Sequence, residues 1–167
     1  MAELQKRKHP RLKEYDYGQG GGYFLTVCTY QRRCVLSKIV GRGLAPAEPL
    51  LLPAGQIVAE EMGLLPERFP TLELLQTVIM PNHIHILLRM SAAGASPRPT
   101  VTDVMRVLKS LTTRRWNERN ETRGCALWQR SYYDHILRDE NDFLNHWTYI
   151  AQNPARWADD DYYCQSL

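Results

Sequence analysis

The stretch LELLQTVIMPNHIHILLRM, Leu72 to Met90, decides how this chain folds. It holds two apolar runs of strand length separated by Pro81-Asn82, a dipeptide that interrupts extended structure. Two strands are predicted, Leu72–Met80 and His83–Met90. Side chains two apart on a strand share a face. Ile84, Ile86 and Leu88 therefore point into one layer, and His83 and His85 project side by side from the other.

Towards the N-terminus, Tyr15 to Gly22 reads as a glycine-rich loop, and Tyr23 to Tyr30, rich in aromatic and β-branched residues, as a strand. Residues 37–55 read as an irregular connection with room for a short hairpin. Gly55 to Arg68 has a helical apolar pattern that Pro66 closes or bends. Towards the C-terminus, residues 91–99 form a linker loop. A helix capped by Thr100 or Thr102 runs to about Glu118, with Val101, Val104, Met105, Leu108 and Leu111 on one face. A fourth strand is predicted around Trp128 to Leu137, and a last helix from about Glu140 to Gln152, bounded by Pro154. The order β-α-β-β-α-β followed by α predicts an α+β ferredoxin-like sandwich. It has a central antiparallel sheet, helices on one face and an extra C-terminal helix.

The 167 residues suit one domain, and 44% hydrophobic with 23% charged residues excludes wholesale disorder and collagen-like structure. No apolar run approaches a membrane span and the basic start lacks a signal's apolar stretch, so a soluble, cytoplasmic protein is expected. Cys28, Cys34, Cys125 and Cys164 form no CxxC pair and read as reduced thiols. The net charge of +3 is unevenly spread. Residues 1–13 carry Lys6, Arg7, Lys8, Arg11 and Lys13 against Glu3, and residues 98–123 carry seven basic residues against three acids. Residues 134–161 reverse the balance. Two basic stretches suggest a polyanionic partner, while on composition alone an ordinary solvated surface is the simpler reading.

Two places carry chemistry. His83 and His85, about 7 Å apart at the backbone, can converge on one cation, imidazole being the commonest protein metal ligand. Two separately satisfied histidines fit the same pattern. A histidine-triad hydrolase would need a third histidine where Leu87 stands, which excludes that class. In Trp147-Thr-Tyr149-Ile-Ala-Gln-Asn153-Pro154, Tyr149 and Asn153 share one helix face, and the proline leaves the Asn153 amide at a fraying end, free to reach outward. A core-edge tyrosine and a C-terminal cap are the simpler reading of that pair.

Taken together, five ordered stretches resemble the HUH single-tyrosine nucleases, specifically the REP-associated tyrosine transposases related to the transposases of insertion sequences. They are Tyr15-Asp-Tyr17 with Tyr23-Phe-Leu-Thr-Val-Cys-Thr, Val78-Ile-Met-Pro-Asn-His-Ile-His, Leu108-Lys-Ser-Leu-Thr-Thr-Arg-Arg, Trp128-Gln-Arg-Ser-Tyr-Tyr-Asp-His-Ile-Leu-Arg, and Tyr149-Ile-Ala-Gln-Asn-Pro. Residues 41–54, proline-rich and apolar, depart from the pattern in a variable connection.

The resemblance implies the HUH endonuclease fold over residues 15–157, between a basic tail at 1–14 and an acidic tail at 158–167. It implies a metal-dependent endonuclease and strand transferase that cuts single-stranded DNA beside REP-like hairpins. Tyr149 would be the nucleophile, forming a 5′-phosphotyrosine. His83, His85 and Asn153 would be the metal ligands. Paired imidazoles on their own favour zinc or manganese, whereas the family implies Mg²⁺ or Mn²⁺. The state would be monomer or homodimer.

Candidate contacts to DNA are Lys6, Arg7, Lys8, Arg11, Lys109, Arg114 and Arg115 through phosphates, with Trp128 and Tyr132 stacking on bases. His135, beside Asp134, is a candidate supporting residue only. Two rivals stand beside this reading. One is a domesticated module of the same fold that binds hairpins without cutting. The other, a small-molecule metallohydrolase, leaves Tyr149, Asn153 and the basic stretches without a task.

Overall fold

A four-stranded antiparallel sheet carries everything else. The computed structural model describes residues 20–41, 46–92 and 99–164. The main sheet contains β1 (Gly21–Cys28), β4 (Leu72–Ile79), β5 (His83–Met90) and β6 (Tyr133–Ile136) in the order β4-β5-β1-β6. The second and third of these strands pair across the Pro81-Asn82 turn, and β1 closes on β5 from Gly21 opposite Met90 to Cys28 opposite His83. The other elements are a hairpin of β2 (Ser37–Val40) and β3 (Glu48–Leu51), and the helices α1 (Pro53–Gly63), α2 (Leu65–Arg68), α3 (Val101–Arg119) and α4 (Glu140–Gln152). This is the α+β sandwich predicted. Among the described residues no helix is long and apolar enough to cross a membrane. The basic stretch at residues 1–14, with Lys6, Arg7, Lys8 and Arg11, lies outside them.

The strand period divides the interior in two. Tyr23, Leu25 and Val27 of β1 and Ile84, Ile86 and Leu88 of β5 face α1 and α3, where Val58, Met62, Val104, Met105 and Leu108 complete the larger core. Phe24 and Leu87 point the other way, to Val78, Met80, Ile150 of α4 and Trp157. The helix beyond the sandwich thus covers the face from which His83 and His85 project.

The helix read over Gly55–Arg68 divides at Leu64, the break expected of Pro66, which lacks an N–H and whose ring crowds the carbonyl four residues back. Two local predictions need correction. Trp128 makes only an isolated bridge with Thr29, and the strand proper begins at Tyr133. Between them the Lys109 ammonium donates to the carbonyls of Gln129 and Arg130 at 2.7 and 2.8 Å, taking acceptors that a ladder would have used. Cys34 and Cys164 are joined in a disulfide rather than reduced, since the chain end returns to the segment after β1. The other expectations hold more closely: residues 37–55 do contain a hairpin, and Thr100 caps α3 in a reciprocal box with Asp103.

The approach of α1 to the hairpin leaves no room at Gly55. A Cβ there would stand 2.0 Å from the Leu36 carbonyl oxygen, which also accepts from the Leu52 N–H. Gly55→Ala is expected to destabilise the fold by about 1–3 kcal/mol, the usual range for overpacking, measured by urea denaturation.

Candidate active site

β5 opens directly at the turn. His83 sits opposite Cys28 and His85 opposite Thr26, so both rings leave the sheet on the α4 side. Both residues are fully buried, and their Nε2 atoms face each other at 3.0 Å. Burial, with the charge of Arg32 second, pushes the His83 pKa down to about 3; burial and His83 itself drive His85 well below its ordinary range. Both imidazoles are therefore neutral, the form that binds metal.

The outer nitrogens are held. The Asn82 amide nitrogen donates to the carbonyls of Arg32 and Tyr162, so its oxygen faces His83 Nδ1 at 2.9 Å and accepts from it. That contact keeps the His83 proton on Nδ1 and leaves Nε2 as a lone pair. His85 Nδ1 lies 2.7 Å from the Thr26 hydroxyl, which can donate or accept by rotating. With the hydroxyl donating, His85 Nε2–H is shared with His83. With the hydroxyl accepting, two lone pairs confront each other 3.0 Å apart, an arrangement that requires a positive centre between them.

α4 brings the second half. Tyr149 stacks edge-on at 5.2 Å from the His85 ring and 5.9 Å from Phe24, with its residue 41% exposed. Burial, then the Asp160 carboxylate, raise its pKa to about 12, while the Asn153 amide acts in the opposite sense. Asn153 closes α4 with helical backbone angles, although a proline follows. Its side chain is not free to reach outward: the residue is buried, Nδ2 donates to Asp160 Oδ2 at 3.2 Å, and Oδ1 is buried without a hydrogen-bond donor. An orphaned amide oxygen beside two inward-facing imidazole nitrogens fits a divalent cation.

Asp160 belongs to the acidic tail, which the sequence leaves either covering the site or standing in solvent. Residues 157–164 form a roof: the rings of Trp157 and Tyr162 lie 6.0 and 4.7 Å from His83, and the disulfide ties Cys164 down. Asp160 Oδ2 comes within 4.0 Å of His83 Nε2. Tyr149, Gln152, Asn153, Arg156 and the three aspartates of the roof line a cavity of about 140 Å³. Arg32, over the Tyr162 ring at 5.0 Å, and Arg156 at the cavity are the cations near the site. No spacing in the sequence singles them out.

The expected DNA contacts fare differently. Trp128 and Tyr132 belong to the larger core, and the Trp128 indole donates to Thr112, so neither ring is available to stack on a base. Arg115 is paired with Glu60 and Glu61, and Lys109 is occupied by the two carbonyls. Arg114 stays in solvent near Glu118. All three lie on α3, across the sheet from the histidines.

His135 joins a separate cluster. Its Nε2 meets both Asp142 oxygens at 3.0 and 2.8 Å, and His146 Nδ1 lies 3.1 Å from the same carboxylate. The two imidazoles are stacked with planes 23° apart, and one ligand atom from each of His135, Asp142 and His146 lies within 4.8 Å of the others. The cluster clamps the first turns of α4 to β6.

Comparison with known proteins bears on the family and the fold. Residues 68–153 match the model of the family described as Transposase IS200 like. An uncharacterized protein of Haemophilus influenzae is 30% identical over 97% of this chain and 96% of its own length. A second H. influenzae protein, assigned as a REP-associated tyrosine transposase, is 30% identical over 54% of this chain and 53% of its own. A solved REP-associated tyrosine transposase bound to a REP hairpin superimposes with a TM-score of 0.58 and 18% identity, covering 93% of this chain and 74% of that one. The fold is thus the HUH endonuclease fold.

Because Asn82 sets the His83 tautomer, Asn82→Ala is expected to weaken Mn²⁺ binding about 10–100-fold, the usual cost of losing a partner behind a ligand. Calorimetric titration of the metal-free protein checks it.

Proposed function

The chain belongs to the IS200-like transposase family, a family of DNA-processing enzymes, and on that premise we propose that it cuts and rejoins single-stranded DNA beside a hairpin through Tyr149. The observation that carries this reading is the meeting of three things on one face of the sheet. These are a half-exposed tyrosine, a buried pair of neutral imidazoles and an unsatisfied amide oxygen. The REP hairpin bound by the solved relative supports the choice of substrate.

In this proposal His83 Nε2, His85 Nε2 and Asn153 Oδ1 would hold Mg²⁺ or Mn²⁺, which when bound would supply Lewis-acid neutralisation of charge on the scissile phosphate. Tyr149 Oη attacks phosphorus and gives up its proton. The bond to the 3′ oxygen breaks, and that oxygen leaves protonated as a 3′-hydroxyl. The phosphodiester becomes a 5′-phosphotyrosine, so the bond is exchanged rather than hydrolysed, and another 3′-hydroxyl can reverse the step. A phenol with a pKa near 12 is a poor nucleophile at neutral pH. The chain's own correction is positional: the Asn153 amide favours the ionised phenol, and Phe24 and His85 fix the ring. For the DNA backbone beside the cut, Arg32 and Arg156 are the proposed contacts. The tail bearing Lys6, Arg7, Lys8 and Arg11, with Arg114, is proposed to serve the stem.

Tyr149→Phe is expected to abolish an SDS-resistant adduct with a labelled hairpin oligonucleotide in Mn²⁺, while affinity in a native gel stays within a few-fold. A persisting adduct would move the nucleophile elsewhere. Tight binding by the wild type without any adduct would favour the non-cutting module.

A further inference from the structure

We propose that Asp160 is itself a ligand of the divalent cation, so that the segment after the tyrosine helix forms one wall of the metal centre. This rests on the metal site proposed above and extends it beyond the two elements from which its other ligands come.

Distance is the first argument. Octahedral Mg²⁺ holds oxygen ligands at about 2.0–2.1 Å, which spaces ligand atoms by about 3 Å when adjacent and about 4 Å when opposite. The His83 and His85 Nε2 atoms are 3.0 Å apart, and Asp160 Oδ2 is 4.0 Å from His83 Nε2. One ligand atom from each of the three residues can be chosen so that all lie within 4.8 Å of one another. The Asn153 amide, whose oxygen is the remaining ligand proposed, touches the same Asp160 oxygen.

The second argument is charge. The Asp160 side chain is 4% exposed. Its hydrogen-bond donors are the Tyr162 N–H at 2.7 Å and the Asn153 amide at 3.2 Å, both neutral. Among the described residues no Lys or Arg stands in ion-pair contact with it, its one such neighbour being His83 at 4.0 Å. A carboxylate taken out of water without a directly paired cation is costly, and a divalent ion between it and the imidazoles removes that cost.

Third, the roof is held in place. The Asn82 amide that orients His83 also donates to the Tyr162 carbonyl, and the Cys34–Cys164 disulfide fixes the segment four residues past Asp160. The same side chain positions a ligand on β5 and the backbone that carries the carboxylate. A hard anionic oxygen also accounts for metal preference. Two imidazoles alone favour zinc or manganese, whereas an added carboxylate and amide oxygen, both hard donors, extend the fit to magnesium.

The test is Mn²⁺ titration of the full-length, metal-free protein, followed by the electron paramagnetic resonance signal of free Mn²⁺. Wild type, Asp160→Asn, Asp161→Asn and His83→Ala are compared, each with its metal-free unfolding midpoint. Asp160→Ala replaces the amide variant if the latter does not fold. The proposal expects Asp160→Asn to lose at least tenfold in affinity and Asp161→Asn, which alters the same cavity wall, to stay within about twofold. Wild-type affinity in Asp160→Asn with loss in His83→Ala would overturn it. So would equal losses at Asp160 and Asp161, which would mark a general charge effect. Unchanged affinity in His83→Ala would instead bring down the metal site of the proposed function.

Discussion

The pairing of β5 with β1 is the constraint on which the other features depend. Because the strand period is two, the register that sets His85 opposite Thr26 sends Ile84, Ile86 and Leu88 into the larger core and leaves His83 and His85 on the α4 face. A one-residue slip would bury the imidazoles under α1 and α3 and turn three aliphatic side chains towards α4 in their place. The apolar half of β5 thus enforces the position of the polar half. Thr26, carried on β1 by the same register, supplies the hydroxyl at His85 Nδ1.

Burial then sets the electrostatic character of the site. The imidazoles are kept uncharged and the Tyr149 phenol is pushed away from ionisation, both mainly by loss of water. The Asp160 carboxylate adds negative charge, which holds the phenol proton more tightly still. Each of these displacements is relieved by one positive centre among the same atoms: lone pairs on nitrogen, an amide oxygen without a donor, a carboxylate and an incipient phenolate. The divalent ion of the proposed function would answer this shared requirement without any single group having to demand it.

The local code in the sequence was clear where contacts are local. The Pro81-Asn82 break, the alternation through His83–Met90 and the amphipathic α3 all appear in the fold at the positions expected. Tyr149 and Asn153 do share a face of α4, one turn apart, but the amide points inward because Asp160 waits there as a partner. Asp160 and the Cys34–Cys164 bond were hidden for the same reason. Each joins residues far apart in the chain, 130 positions for the disulfide, and no periodicity encodes such a return. Trp128 and Lys109 misled in the other direction. Aromatic and basic residues near one another look like a surface for nucleic acid, yet the indole fills the core and the ammonium caps carbonyls of a broken strand.

The proposed function also requires a single helix to hold Tyr149 steady against a site built on a sheet. α4 shows little apolar burial of its own, with Ile150 its sole fully buried residue and Leu144, Trp147 and Tyr149 exposed. Packing alone is a weak restraint on such a helix. Polar contacts at both ends take its place. At the start, Asp139 caps the first turn and Asp142 gathers His135 of β6 and His146 of the helix itself. At the end, Asn153 bonds to Asp160 under the roof. Tyr149 lies between these two fixed ends, one turn from Asn153 and three residues past His146. Phe24 touches both His146 and Tyr149, so the clamp and the Tyr149 ring bear on one buried ring of β1. The distance from phenol to imidazoles is therefore set by the sheet, through contacts that a sliding or rotating helix would have to break together.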